Sequence, residues 1–334
     1  MVSGVKAALP PQPFLSKAFE MSREPLPAEH GDASATEGSA PACVMSFNAS
    51  DPTGAGGLSG DVSTISAMGA HPLPVVCALL LRDTAEVFEH HELEPDVVVE
   101  QARAVLEDVT VAGFKVGFMG SAEVISAVAE VISDYPDVPL VAYMAATGWM
   151  EDEDGGAYHE AFRELILPQA ALLVGNHKVL TDFLLPEWDS ERPPSARELA
   201  VAAAEHGTAY VLVTSVQMPD QMIDNVLATA QGAITGERFE RFEASFIGAG
   251  DTLSASIAAL LACGADPASA TSEALAFLDQ ALDAGFRPGM GQVVPDRFFW
   301  ALPDDEGEEA PPAGDELGPD GENVAGKPPT RRIH

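Results

Sequence analysis

Two glycine-rich elements hold the residue types that could do chemistry: Asn48-Ala49-Ser50-Asp51-Pro52-Thr53-Gly54-Ala55-Gly56-Gly57 and Gly248-Ala249-Gly250-Asp251-Thr252. In the second, small residues let successive backbone N–H groups converge. The helix predicted to follow turns its positive end toward the same point, and Asp251 stands in its first turn. Such an arrangement suits phosphoryl transfer to an alcohol, where donors hold the charge on the moving group and a carboxylate accepts the hydroxyl proton. The same residues also make an ordinary helix entry with a favourable acid, so the chemistry rests on what stands around them. The first element places another glycine loop before another helical segment. Together the two suggest a small-molecule site closed by one loop and charged by the other.

Those loops need a scaffold, and the chain alternates short apolar runs with segments of helical period: 43–47 then 57–68, 75–81 then 95–109, 113–118 then 121–133, and 140–144 then 158–166. This alternation predicts parallel strands joined by crossover helices. In the first helical segment Leu58, Val62, Ile65 and Met68 share one face, so it should pack on a sheet. Beyond 172–174 come a helix over 196–206, a strand over 210–214, hairpin strands within 222–228 and 233–242, and helices over 252–262 and 267–284. The expected fold is an α/β three-layer sandwich with a mostly parallel central sheet and one antiparallel corner. Ligands in such sheets sit beyond the carboxyl ends of the strands. Residues 1–40 and 303–334, rich in Pro, Gly and acids, read as a disordered N-terminal extension and a disordered acidic tail flanking one domain over 41–302.

Composition limits the partners. Seventeen Lys plus Arg against 52 Asp plus Glu give a formal charge of −35, which disfavours nucleic acid and anionic membrane surfaces. No apolar run is long enough to span a membrane. Pro10, Pro11 and Pro13 interrupt the stretch where an export signal would need a continuous apolar core, so a cytoplasmic location is expected. Three widely spaced cysteines and eight histidines show no disulfide or metal-ligand spacing, and no metal ligand is assigned.

Several segments in order resemble the hydroxymethylpyrimidine and phosphomethylpyrimidine kinases of thiamin synthesis, within the ribokinase-like superfamily. They are Ser46-Phe47-Asn48 through Gly57 with Asp61 and Ala67-Met68-Gly69-Ala70; Lys115-Val116-Gly117-Phe118-Met119; Leu167-Pro168-Gln169 before a strand ending in Asn176; Gly248 through Ala255; and Gly289-Met290-Gly291-Gln292-Val293 to Trp300. The resemblance spans roughly 42–301 and implies a ribokinase-like fold, ATP and Mg2+ as co-reactants, an aminopyrimidine alcohol as substrate and a homodimer. It makes Gly248, Ala249 and Gly250 the anion hole and Asp251 the base. It carries the pyrimidine pocket onto Ala49, Gly56, Asp61, Leu80, Arg82, Phe118 and Met144, and the nucleotide side onto Asn176 and Thr214.

The chain departs from the family pattern in places. Asp251 stands where the pyrimidine kinases usually have Cys, and a carboxylate can take the same proton. Arg82 replaces a Gln or Glu at the ring's polar edge and can only donate hydrogen bonds. Ala142-Tyr143-Met144-Ala145 replaces Asp-Pro-Val-Met, Thr147-Gly148-Trp149-Met150 replaces Lys-Ser-Gly-Asp, Val179 replaces a metal-linked Glu, and Thr214-Ser215-Val216 replaces Lys-Gly-Gly. Three readings therefore stand: a kinase of hydroxymethylpyrimidine, a kinase of another vitamin precursor or sugar, and a non-catalytic or regulatory pyrimidine-binding paralogue with an impaired ATP site.

Overall fold

The computed structural model describes residues 40–301; apart from Ala40, the expected extension and acidic tail lie outside the described residues. The elements in chain order are β1 (Cys43–Ser50), α1 (Gly57–Ala67), β2 (His71–Arg82), β3 (Val87–Glu92), α2 (Pro95–Leu106), β4 (Gly113–Val116), α3 (Ala122–Ser133), β5 (Leu140–Tyr143), α4 (Asp152–Ala161), β6 (Leu172–Asn176), α5 (His177–Leu184), α6 (Ala196–Glu205), β7 (Tyr210–Gln217), β8 (Met222–Thr229), β9 (Gly232–Glu240), α7 (Ala249–Ala262) and α8 (Pro267–Asp283). The strands form one sheet in the order β3-β2-β1-β4-β5-β6-β7-β8-β9.

The pleat separates two apolar cores. Leu140 and Ala142 of β5 face one core and Val141 the other; Leu173 of β6 opposes Leu172 and Val174 in the same way. The first core lies against α2 to α6, with Val98, Val124, Ile125, Leu180 and Leu199 in it. The second lies against α1, α7 and α8 through Ile65, Leu253, Ile257 and Leu275. Helices thus cover both faces, which is why the central strands carry near-continuous apolar runs.

α7 is buried along almost its whole length although it carries Thr252, Ser254 and Ser256. Each hydroxyl donates to the carbonyl four residues back, at 2.8, 2.8 and 2.9 Å, so none of the three is left unpaired. Their small size lets the helix lie close beneath the sheet.

β1 pairs in parallel with β2 on one side and β4 on the other. The chain therefore winds outward from β1 in one direction, returns, and continues in the opposite direction from β4. This reversal opens a crevice at the carboxyl ends of β1 and β4, the usual place for a ligand in an open α/β sheet.

Three features differ from the expectation. Antiparallel strands border both sides of the sheet, β3 against β2 and the β8–β9 hairpin against β7. β3, Val-Phe-Glu-His-His-Glu, has no buried residue and so lacks the alternation that marks a half-buried strand. α4 begins at Asp152 within the acidic run, because Asp152, Glu153 and Asp154 occupy a first turn where the helix end is positive. α5, also unanticipated, is capped by the Asn176 side chain, which accepts from the Val179 N–H at 2.9 Å.

Candidate active site

The crevice is built on a buried ionic centre. Ser46 and Asn48 of β1 and Lys115 of β4 share one sheet face, Ser46 lying directly beside Lys115 in the parallel register. α1 brings Asp61 over them and the first turn of α7 brings Asp251. Lys115 Nζ donates to Asp61 Oδ1 and Oδ2 at 2.8 and 2.9 Å and to Asp251 Oδ1 at 2.9 Å. Asn48 Nδ2 donates to Asp61 and Asp251 at 2.9 and 2.8 Å, while its Oδ1 accepts from the Ala49 and Phe118 N–H groups. Ser46 Oγ donates to Asp61 at 2.6 Å.

One ammonium therefore serves two carboxylates, and their environments separate them. Burial pushes the Asp61 carboxyl up, and Lys115 only partly offsets this because the charge of Asp251 stands nearby. Burial also acts on Asp251, but Lys115 and donation from the Gly57 N–H and Asn48 outweigh it and hold Asp251 below the ordinary carboxylate value. Burial alone would push Lys115 down; the two acids more than reverse that and keep it charged. Asp61 is fully enclosed, whereas 15% of the Asp251 side chain is open to the crevice. Of the two acids, only Asp251 can meet a ligand.

The glycine elements are tied together. Gly57 N–H donates to Asp251 Oδ2 at 3.0 Å. Arg297, 5% exposed, donates through Nε to Thr252 Oγ1 at 2.9 Å and through Nη2 to the carbonyls of Ala55 and Gly248. Gly248 has φ 83° and caps α7, and a Cβ there would collide with the Ala55 carbonyl, so both the turn and the close approach of the loops require glycine. Within the early loop the Asp51 carboxylate gathers the Thr53 and Gly56 N–H groups at 2.9 and 3.0 Å.

Two cavities meet at this point. One, of about 360 Å³, extends from Gly248, Ala249 and Gly250 past Asn176, Thr214 and Arg241. The other, of about 480 Å³, is lined by Asn48, Gly57, Leu80, Arg82, Phe118, Trp149 and Asp251 among others. Tyr143, Phe246 and Gly248 line both and form the seam between them. In the second cavity Phe118 stacks on Tyr158 with centroids 5.3 Å apart, and Trp149 meets Phe118 edge-on at 5.1 Å, giving a rigid aromatic wall. Opposite chemistry comes from Arg82, whose Nη1 lies 3.7 Å from Asp51.

The residues expected at the site fall in distinct places. Gly248 and Asp251, with Leu80, Arg82 and Phe118, line the second cavity. Gly248, Ala249 and Gly250, with Asn176 and Thr214, line the first. Ala49, Asp61 and Met144 do not line the second cavity: each is completely or almost completely buried, Asp61 as the partner of Lys115. Gly56 is buried and does not line the cavity, whereas its neighbour Gly57 does. Trp149, in a segment read as loss on the nucleotide side, faces the second cavity instead.

Lys115, Asn48, Tyr143, Arg241 and Arg297 were not assigned roles from the sequence. For Lys115 the signal was present, since a lysine inside the apolar strand Gly113–Val116 requires a buried counter-charge. Arg297 carried no comparable signal.

The fold is a ribokinase-like α/β/α sandwich. A family model described as phosphomethylpyrimidine kinase matches residues 51–296, and the chain belongs to the phosphomethylpyrimidine kinase family. The hydroxymethylpyrimidine/phosphomethylpyrimidine kinase of Escherichia coli (strain K12) is 29% identical over 250 residues, 72% of this chain and 90% of that one. The chloroplastic thiamine biosynthetic bifunctional enzyme TH1 of Arabidopsis thaliana is 29% identical over 273 residues, covering 78% of this chain; the chain spans about half, 51%, of that protein's length. Among solved structures, an ADP complex of Bacillus subtilis pyridoxal kinase aligns with TM-score 0.71 at 20% identity, covering 79% of this chain and all of that one. A phosphomethylpyrimidine kinase of Clostridium difficile 630 aligns with TM-score 0.60 at 20% identity over 72% and 99% of the two chains.

Proposed function

We propose that this protein transfers a phosphoryl group from ATP to the hydroxymethyl group of a small heteroaromatic alcohol, 4-amino-5-hydroxymethyl-2-methylpyrimidine in the first instance, and acts in thiamin biosynthesis in the cytoplasm. The observation that carries this reading is the junction of two cavities at the N-terminus of α7, with the Asp251 carboxylate on one side of the junction and the Gly248 loop shared by both. The alcohol ring lies against Phe118 and Trp149 in the second cavity. Asp251 takes the hydroxyl proton as the alcohol oxygen bonds to phosphorus and the bond from phosphorus to the departing diphosphate oxygen breaks. Backbone N–H groups of the first turn of α7 stabilise the charge.

ATP fits the first cavity on the chemistry of its walls. Asn176 and Thr214 offer polar groups, Arg241 offers a cation, and the α7 N-terminus favours phosphate. Bound there, ATP supplies the phosphoryl group. Among the described residues no three His, Cys, Asp or Glu side chains group as a metal site, and no step is assigned to Mg2+.

A second reading keeps the kinase and changes the alcohol. Arg82 offers only donors to the cavity, whereas an exocyclic amine needs an acceptor; a ring bearing a carbonyl, carboxylate or phosphate would suit it better. An ADP-release assay with aminopyrimidine, pyridine, nucleoside and sugar alcohols tests both. Turnover of the aminopyrimidine is expected, turnover only of another alcohol would support the second reading, and no Mg-ATP binding or ADP release with any acceptor would remove the kinase reading.

A further inference from the structure

Tyr143 occupies the last position of β5, where its side chain lies on the same face as Val141 and packs against the core beneath α7. Its ring rests against Gly250: a Cβ added to that glycine would collide with the phenol. The phenol is therefore pressed against the α7 N-terminal loop, the predicted anion hole. Tyr143, Phe246 and Gly248 alone line both cavities. Of their side chains, only that of Tyr143 has a hydrogen-bond donor.

The buried cations Lys115 and Arg297 are committed elsewhere. Lys115 is held by Asp61 and Asp251, with its ammonium 5.6 Å from the Tyr143 ring centroid. Arg297 donates to carbonyls and to Thr252 behind the loop. The Tyr143 hydroxyl itself has no hydrogen-bond partner among the described residues. Tyr143 is half-buried and lines both cavities, so this hydroxyl is free to meet a ligand there.

We propose that Tyr143 is a further catalytic residue: its hydroxyl donates a hydrogen bond to the phosphoryl oxygens held at the seam between the two cavities. This rests on the kinase reading given above. Burial, reinforced by the charges of Asp251 and Asp61, pushes the phenol above its ordinary value. The phenol therefore stays protonated and keeps its hydrogen to donate throughout the neutral range. It gives up no proton in the reaction; that transfer belongs to the alcohol and Asp251. A neutral donor also suits a place beside two carboxylates, because it stabilises negative charge without forming a competing ion pair with Asp251.

The test is Tyr143→Phe, which keeps the ring against Gly250 and removes only the hydroxyl. Turnover and inorganic phosphate binding are measured for both proteins, the latter by calorimetry without nucleotide. The expected result is a fall in kcat on the order of 100-fold with KM for the alcohol unchanged. Phosphate affinity should weaken roughly tenfold, with the thermal midpoint preserved.

Equal kcat in the two proteins would overturn the assignment while leaving the kinase reading intact. If the wild-type protein turns over no alcohol, the kinase reading fails separately and phosphate binding decides. Weaker binding by Tyr143→Phe supports the donor role; equal binding, or no binding by the wild type, overturns it.

Discussion

Asp251 meets two demands at once, since it must be ionised to accept a proton and must remain so within a buried site. Lys115 satisfies the second demand at some cost in basicity, because the ammonium that keeps the carboxylate charged also holds it below its ordinary value. With two carboxylates and one ammonium, the centre carries excess negative charge when all are ionised. Asp251→Asn should therefore reduce turnover at least about 100-fold while leaving a matched Lys115–Asp61 pair. Its thermal midpoint should equal or exceed that of the parent, and a marked loss of stability would show that Asp251 holds the fold together rather than serving chemistry.

Lys115→Met should act in the opposite way. Two buried acids lose their counter-ion, which costs about 3–5 kcal/mol of stability measured by urea unfolding. The sign of the pH effect follows from the shifts. A depressed Asp251 contributes stability that is present above its unfolded value and lost as pH falls through its folded value; the raised Asp61 contributes with the opposite sign. Without Lys115 both acids move up. The acid limb of the kcat/KM profile, which in the parent follows the lowered Asp251, should shift upward, and an unmoved limb would remove Asp251 as the titrating base.

At the scale of elements, the site depends on the amino ends of α1 and α7 keeping a fixed separation. Arg297 supplies that link through Thr252, Ala55 and Gly248. Arg297→Met removes the donors and keeps most of the volume, so the Ala55 carbonyl loses its partner while the Gly248 carbonyl keeps only the donors of Thr252. A loss of about 2–4 kcal/mol is expected, with kcat/KM falling on the order of 10–100-fold because the Gly248 loop is no longer held against the early loop. Unchanged kinetics in a protein that still folds would show that the Gly57 N–H contact to Asp251 is sufficient by itself.

The elements differ in how openly the sequence displays them. α7 and the central strands were legible because nearly every apolar residue in them is buried. β3 was not, because all its residues lie on a partly exposed edge, and α5 was not, because it is short and its Asn176 cap is also the last residue of β6.

At the scale of the whole molecule, the formal charge of −35 repels an anionic nucleotide before it reaches the α7 N-terminus. Screening lengths of about 10 Å at 0.1 M salt reduce that repulsion. The association rate for ATP, measured by stopped flow with Mg2+ held constant, should rise between low and physiological ionic strength. A rate that falls with salt would mean that a local positive field around Arg241 outweighs the global charge.

The alternation of central strands with helices and the position of the two glycine loops were determined by the sequence itself; the face of α1 was only partly so, because Leu58 and Ile65 are buried as expected but Asp61 and Thr64 are buried with them. Period and glycine spacing are local properties that a chain carries wherever it folds. The candidate base was also visible there, as an acid in a first helical turn. The tertiary structure alone decided the chemistry around it: Lys115 reaching Asp61 across 54 residues and Asp251 across 136, Arg297 reaching Ala55 across 242, and Tyr143 set beneath Gly250. Each of these depends on which strands become neighbours, and the reversal of winding between β1 and β4 settles that by bringing their carboxyl ends together beneath the start of α7.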